Sequence, residues 1–534
     1  MFRKSTGLAA GLAMATLMGL APSAEAAADT AAGTTAGAAA GATAGAAAGA
    51  AAGATAGAGA VRPARETAPQ PASAAQTAAR RTAPIVWGAC TGEDVPAGME
   101  CGALDVPVDW SKPRGKQVRL ELARLPATEP ARRIGSVLGI PGGPGASGID
   151  DLRRAAPDLT ELRRRFDLVG YRPRTTAWGA TAAEPCWKPG VALHDPRGPR
   201  EFEAMKAAMA RAFEACREAD TTGLFAHLDS LSIARDMEAV RRALGEERLS
   251  FMANSYGGVA AAAYIRLFPQ RIRAMYLDGV VDQTEGWPMV NLVMRTGVEE
   301  ALERFGRWCA ATPACALHGE DATEIWRELT RATDREPIPI RSERYGEGEL
   351  TGWHLRSLGF LPDPGPGHSR WLALAEWVDK ARRGDGSGFA DHVLGNTQVW
   401  AMPAMLAMTC GDERGYTGWA QLRKYRRDIR EAAPDFSGAA FDQLGCIGWP
   451  QPVANPARRL EVRGLPPMLG AGTLEGDFPL TERFIRMVPG SVTLGYDGPG
   501  HVLYLLGKKC PIAHATAYLA GLRLPAAGTV CPAE

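Results

Sequence analysis

Short apolar runs and longer stretches with helical spacing take turns along most of the chain. Val118 to Leu125 alternates apolar with polar and stops at Pro126, the pattern of a strand with one buried face. Ile134 to Ile140 is a second apolar run, and it opens into Pro141-Gly142-Gly143-Pro144-Gly145. Phe166 to Tyr171 is a third. Ser230 to Leu244 carries Ile233, Met237, Val240 and Leu244 on one helical face. Leu249 to Ala253 reads as a short strand running into Asn254-Ser255-Tyr256-Gly257-Gly258, with a helix over Val259 to Phe268 and another strand over Ile272 to Leu277. Strands alternating with helices predict a mainly parallel sheet covered on both faces. From Thr284 to Val399 the pattern shifts to Trp-, Arg- and Glu-rich helical segments with a break at Pro362 to Gly367, as expected of a helical cap inserted into the sheet. Strands resume at Pro467 to Gly472 and Val492 to Tyr496, and Ala513 to Leu522 predicts a closing helix.

The first 83 residues do not fit this pattern. Arg3 and Lys4 precede an apolar stretch from Gly7 to Leu20, and Ala24-Glu25-Ala26 offers small residues where a signal peptidase cuts. Residues 1–26 are therefore expected to be a secretory signal peptide, too short in its apolar part to be a comfortable membrane span; an uncleaved anchor is the competing reading. Residues 27–83 are almost wholly Ala, Gly and Thr and then Pro, Arg, Gln and Ala. Without large apolar groups to bury, they predict a disordered linker or pro-segment. The folded part then starts near Pro84, with a core over 84–283, a cap over 284–399 and the rest of the core over 400–534.

Composition narrows the functional classes. Lys plus Arg (60) balances Asp plus Glu (59), so no basic excess points to a nucleic acid partner. The ten cysteines all lie beyond the linker, and an even number behind an export signal predicts disulfides and an extracellular setting. Sequence does not fix the pairing; the simplest choice, neighbour with neighbour, gives 90–101, 186–216, 309–315, 410–446 and 510–531. No Cys-x-x-Cys or Cys/His spacing suits zinc, and no metal or cofactor is expected.

The chemistry centres on Ser255. Ala253-Asn254-Ser255-Tyr256-Gly257, between a strand and a helix, is a variant of the Gly-x-Ser-x-Gly nucleophile elbow with Ala in the first position. Small residues allow the sharp turn that exposes the serine. An ordinary strand-to-helix turn is the competing reading. A serine hydroxyl needs a base. Of the eight histidines, His501 falls in the Gly/Pro-rich loop after the last expected strand, where this fold's nucleophile–acid–histidine order puts the base. His514 falls in the closing helix and reads as structural. The acid should follow Pro467 to Gly472, and Glu475 and Asp477 both do. Spacing does not separate them. The amides of Tyr256 and Gly143 are the candidate oxyanion donors. A phosphate-cradling role for the Gly142 to Gly145 loop lacks the Lys-Ser/Thr ending, and Pro144 has no amide to donate.

These pieces together resemble a known family. Pro141 to Gly145, Phe166-Asp167-Leu168-Val169-Gly170, Ala234-Arg235-Asp236-Met237-Glu238, Ser255 to Gly258, Leu277-Asp278-Gly279-Val280, Cys446 with Trp449-Pro450, Gly500-His501 and Gly528-Thr529-Val530-Cys531 are similar to the secreted bacterial tripeptidyl aminopeptidases, relatives of proline iminopeptidase in the α/β-hydrolase superfamily. The resemblance runs from about Trp87 to Cys531. It implies an α/β-hydrolase fold with a cap-covered site, release of short peptides from free N-termini, and a triad of Ser255, an acid at the position of Glu475, and His501. Two departures stand out. Arg172 and Thr175 replace an acid and a glycine in a loop expected near the site, and the acid segment reads Gly472-Thr473-Leu474-Glu475-Gly476-Asp477, so Asp477 is an alternative to Glu475. The expected substrate is a peptide or a small acyl compound. An esterase or lipase on the same scaffold and a non-catalytic binding protein are the competing functions. A dehalogenase or epoxide hydrolase would carry Asp where Ser255 stands.

Overall fold

The computed structural model describes residues 84–92, 94–178, 193–358, 369–399, 403–438, 441–474, 476–498 and 500–534. The expected signal peptide and linker, the break at Pro362 to Gly367, Glu475 and Cys186 lie outside them.

Among the described residues ten strands form one sheet: β1 (Gly88–Ala89), β2 (Glu100–Pro107), β3 (Gln117–Leu125), β4 (Gly135–Ile140), β5 (Phe166–Tyr171), β6 (Leu249–Asn254), β7 (Ile272–Asp278), β10 (Leu469–Thr473), β11 (Val492–Asp497) and β12 (Val530–Pro532). Their order across the sheet is β1-β2-β3-β5-β4-β6-β7-β10-β11-β12. From β5 to β12 all neighbours run parallel, while β1, β2 and β3 form an antiparallel flank on β5. This is the expected α/β architecture. The central strands β5 and β6 are buried at every position, because helices cover both faces. By contrast β3 alternates, with Val118, Leu120 and Leu122 inward and Gln117, Arg119 and Glu121 outward.

Two apolar clusters lie within this sheet domain: one gathers Val259, Tyr264 and Phe251, the other Leu469, Leu494 and Tyr518. Between β7 and β10 the chain is largely helical, beginning with Trp287–Ala311 and Ala322–Arg335. It also contains a small hairpin the periodicity did not predict, β8 (Ile338–Ser342) with β9 (Gly346–Leu350). Most buried apolar residues from Val298 to Leu394, with Phe436, form their own cluster, while Trp353 packs with the sheet cluster. Leu406, Met408, Cys410, Leu422 and Leu444 instead share the cluster of the sheet, so the helices Pro403–Asp412 and Trp419–Ala432 pack with the core before the sheet itself resumes at Leu469.

Disulfides join Cys90–Cys101, Cys309–Cys315, Cys410–Cys446 and Cys510–Cys531, the neighbour pairs expected. Cys216 is also disulfide-bonded, and its expected partner Cys186 lies outside the described residues. No helix among the described residues is long and apolar enough to cross a membrane.

Candidate active site

Ser255 sits where β6 ends and the helix Gly257–Leu267 begins. Its φ of 49° lies in the left-handed region that a side chain rarely adopts, so the turn carries backbone strain. Hydrogen bonds hold that conformation. The Ser255 amide donates to the Asp278 carbonyl at 3.2 Å, and the Ser255 carbonyl accepts from Gly258 (3.1 Å) and Val281 (2.9 Å). The glycines of the motif are set by close approach. A Cβ on Gly257 would lie 2.5 Å from the Ile140 carbonyl oxygen, and one on Gly258 would lie 2.6 Å from that of Val281.

The structure brings His501 to this serine across 246 residues of chain: Nε2 lies 3.0 Å from Ser255 Oγ, and Nδ1 lies 2.7 Å from Asp477 Oδ2. With the proton on Nδ1 and donated to Asp477, Nε2 is left to accept from the serine hydroxyl. Asp477 is buried, and its other oxygen accepts from the Thr473 amide at 2.7 Å and the Thr473 hydroxyl at 3.2 Å. The loop after β10 thus folds back on its own strand end and turns Asp477 inward. The resemblance put the acid at Glu475. The carboxylate brought to the imidazole is that of Asp477, two residues on, and Glu475 lies outside the described residues.

The loop after β4 lies against the serine. A Cβ on Gly142 would fall 2.6 Å from Ser255 Cβ and 2.7 Å from Asn254 Oδ1, so only glycine fits. Gly143 has φ 105° and Gly145 φ 78°, conformations that glycine adopts readily. Tyr256 begins the turn into the helix, and its hydroxyl donates to Asp412 Oδ2 at 2.9 Å. Arg172, expected near the site, points to the flank of the sheet, where it pairs with Glu121 at 2.5 Å in an exposed contact. Thr175 is the altered position that touches the loop: a Cβ on Gly145 would sit 3.0 Å from its hydroxyl oxygen. Between them, Arg174 is fully buried and donates to both oxygens of Asp236 (2.7 and 2.6 Å) and to the carbonyls of Pro107, Val108 and His227. That pair accounts for the Ala234 to Glu238 motif as a structural anchor of the loop.

Three further residues shape the site and were not singled out from sequence. Gly279 has φ 58°, and a Cβ there would lie 2.4 Å from Asp477 Oδ2 and 3.2 Å from His501 Nδ1. Asn254 donates to Tyr504 (2.7 Å) and Asp151 (3.1 Å) from inside the core. Asp412 accepts from the Ser230 amide and hydroxyl, Tyr256 and Asn455. Burial pushes its carboxyl up to about 7. The sequence signal for Gly279 was its place in Leu277-Asp278-Gly279-Val280 and for Asn254 its place beside Ser255 in the elbow; for Asp412 there was none beyond polarity. His514 lies by the Cys510–Cys531 disulfide, whose sulfurs are already bonded to each other.

Comparisons with known proteins place the chain in a family. The family described as "alpha/beta hydrolase fold" matches residues 136–427, and the one described as "TAP-like protein" matches residues 433–531. The serine protease Hip1 of Mycobacterium tuberculosis is 29% identical over 481 residues, covering 84% of this chain and 91% of that protein. The tripeptidyl aminopeptidase of Streptomyces lividans is 30% identical over 445 residues, covering 77% and 80%. A protein of Mycobacterium tuberculosis named carboxylesterase B is 26% identical over 463 residues, covering 81% and 86%. The chain belongs to the α/β-hydrolase family, with a TAP-like C-terminal part, and is a serine peptidase of that family.

Proposed function

We propose that this protein is an exported aminopeptidase that releases tripeptides from free N-termini, with Ser255 as nucleophile, His501 as base and Asp477 as the acid. The observation that supports the catalytic part of this reading is the imidazole held 3.0 Å from the serine oxygen and 2.7 Å from a buried carboxylate. In the forward step His501 Nε2 takes the hydroxyl proton as Ser255 Oγ attacks the scissile carbonyl. The negative charge on the carbonyl oxygen is held by the amides of Tyr256 and Gly143. His501 then gives the proton to the leaving amine, the peptide bond breaks, and an acyl-enzyme forms. Water, deprotonated by His501, attacks that ester and frees the serine. Asp477 holds the imidazole in the reactive tautomer and balances its charge while it carries the extra proton. No step calls on a metal or a cofactor.

The tripeptide product is carried over from the Streptomyces lividans relative. Residues 284–399 are read as a cap that limits access to peptide ends, and residues 1–26 as the export signal. Four disulfides among the described residues suit an oxidising compartment. An esterase is the second reading, favoured by the relative named carboxylesterase B. Chromogenic tripeptide amides with free and blocked N-termini, run beside short acyl esters, separate the two. A peptidase of this kind cleaves the free peptide and leaves the blocked one. Equal cleavage of both rejects the aminopeptidase reading, and ester turnover without amide turnover makes it an esterase.

A further inference from the structure

The strand end next to the elbow holds a carboxylate that the mechanism above does not use. Asp278 closes β7 and is fully buried. Its carbonyl accepts the Ser255 amide at 3.2 Å. Its side chain reaches into the neighbouring loop, where Oδ1 accepts from the Leu503 amide at 3.1 Å and Oδ2 from the Tyr504 amide at 3.0 Å. A third donor, the Tyr276 hydroxyl, lies 2.9 Å from Oδ2. Leu503 and Tyr504 come just two and three residues after His501, and the intervening Val502 has φ 52°, a left-handed conformation costly for a β-branched residue. The loop is thus bent sharply between the imidazole and the two clamped amides. The next residue, Gly279, is the one whose missing Cβ makes room for Asp477 and His501.

We propose that Asp278 is a positioning residue for catalysis: its backbone holds the nucleophile's turn and its side chain clamps the histidine loop, so that one residue sets the separation of Ser255 and His501. This rests on the triad read above. It also gives the clamp a charge dependence. Burial, together with the nearby Asp477, pushes the Asp278 carboxyl up to about 7, while the Leu503 and Tyr504 amides and the Tyr276 hydroxyl pull the other way. The titratable groups around it are Tyr276 on its own strand, Asp477 from the loop after β10, and Tyr504 from the histidine loop, itself beside Asp151 of the helix Gly148–Ala155. Below that pH the carboxylate takes a proton, and a neutral acid accepts amide hydrogen bonds more weakly than an anion.

The test uses two variants of the full-length protein, with kcat, KM and the pH profile of kcat measured on a free tripeptide amide. Asp278→Asn keeps the size but turns an NH2 toward one of the clamped amides. The expected result is a fall in kcat of about 100-fold, the scale of losing one preorganised contact in an active site, with KM changed less than about threefold because substrate contacts are untouched. The acid limb of kcat, steeper than a single ionisation in wild type, becomes that of a single group. Tyr276→Phe removes one donor and leaves the carboxylate and both amides. It is expected to fold normally and to move the acid limb to higher pH, because that donor favours the ionised form. A folded Asp278→Asn enzyme with wild-type kcat overturns the proposal. If Asp278→Asn does not fold, Tyr276→Phe decides: a shifted acid limb supports the clamp, and an unmoved one overturns it. Labelling by a fluorophosphonate keeps the two levels apart. If Ser255→Ala still labels, the triad reading fails; if Ser255→Ala is silent but both variants behave as wild type, only the clamp fails.

Discussion

At the scale of single residues, the site is decided by which carboxylate reaches His501 and by what makes room for it. Asp477→Asn would keep the shape but hold the imidazole in the wrong tautomer, so kcat should fall roughly ten-thousand-fold, as for the corresponding change in serine proteases. Glu475→Ala should stay within about threefold of wild type. Steady-state kinetics on one peptide amide checks both, and a large loss at Glu475 with none at Asp477 would reverse the assignment. Gly279→Ala puts a Cβ 2.4 Å from Asp477 Oδ2 at a φ of 58°. It should lower kcat and cost about 1–3 kcal/mol of stability, measured by urea unfolding. The serine and histidine were legible from sequence because the elbow and the late glycine-rich loop have local signatures. The acid was not. Glu475 and Asp477 are two residues apart, and choosing between them needs the direction each side chain takes after the strand ends. That direction is set by Thr473, whose amide and hydroxyl hold Asp477 inward.

At the scale of elements, the strands that read clearly from sequence are those long enough to show a pattern, either an apolar run buried on both faces or, as in β3, an alternation with one buried face. Phe166 to Tyr171 is β5 as predicted, and Leu249 to Ala253 extends by one residue to Asn254. The short edge strands β1 and β12 have little pattern to read, since each is held mainly by a neighbour and by a disulfide at or beside it. The loop after β5 shows a subtler limit. Sequence comparison drew attention to Arg172, yet the buried residue is Arg174, paired with Asp236 at no solvent exposure. Removing one partner of such a pair strands a charge in the core. Arg174→Met should therefore destabilise the protein by about 3–5 kcal/mol, whereas Arg172→Met, at an exposed pair, should change stability by less than about 1 kcal/mol. Thermal or urea unfolding of the two variants checks the contrast.

At the scale of the whole molecule, two buried carboxyls give the fold a pH dependence. Asp278 and Asp412 are both pushed up to about 7, chiefly by burial. The folded protein keeps protons there that the unfolded chain gives up near the ordinary value of 3.8. Folding therefore takes up protons between about pH 4 and pH 7, and stability falls as pH rises through that window, by about 1.4 kcal/mol per unit for each group. The melting temperature should rise on going from about pH 7.5 to about pH 5, and Asp412→Asn should flatten that rise; differential scanning calorimetry across the range tests it. Activity should move the opposite way if Asp278 clamps the histidine loop in its ionised form. These opposing trends come from the same fact, burial of acids that no local pattern marks. By itself the sequence determined the α/β class, the strained serine turn and the late histidine, because each follows from local periodicity, turn chemistry or chain order; it offered neighbour pairing of the cysteines as the simplest choice without fixing it. Only the tertiary structure decided that Asp477 is the carboxylate at His501, that Gly279 clears its place, and that Arg174, Asp278 and Asp412 are buried with partners far along the chain. Side-chain direction and desolvation are set by what packs around a residue, and that exists only once the sheet is assembled.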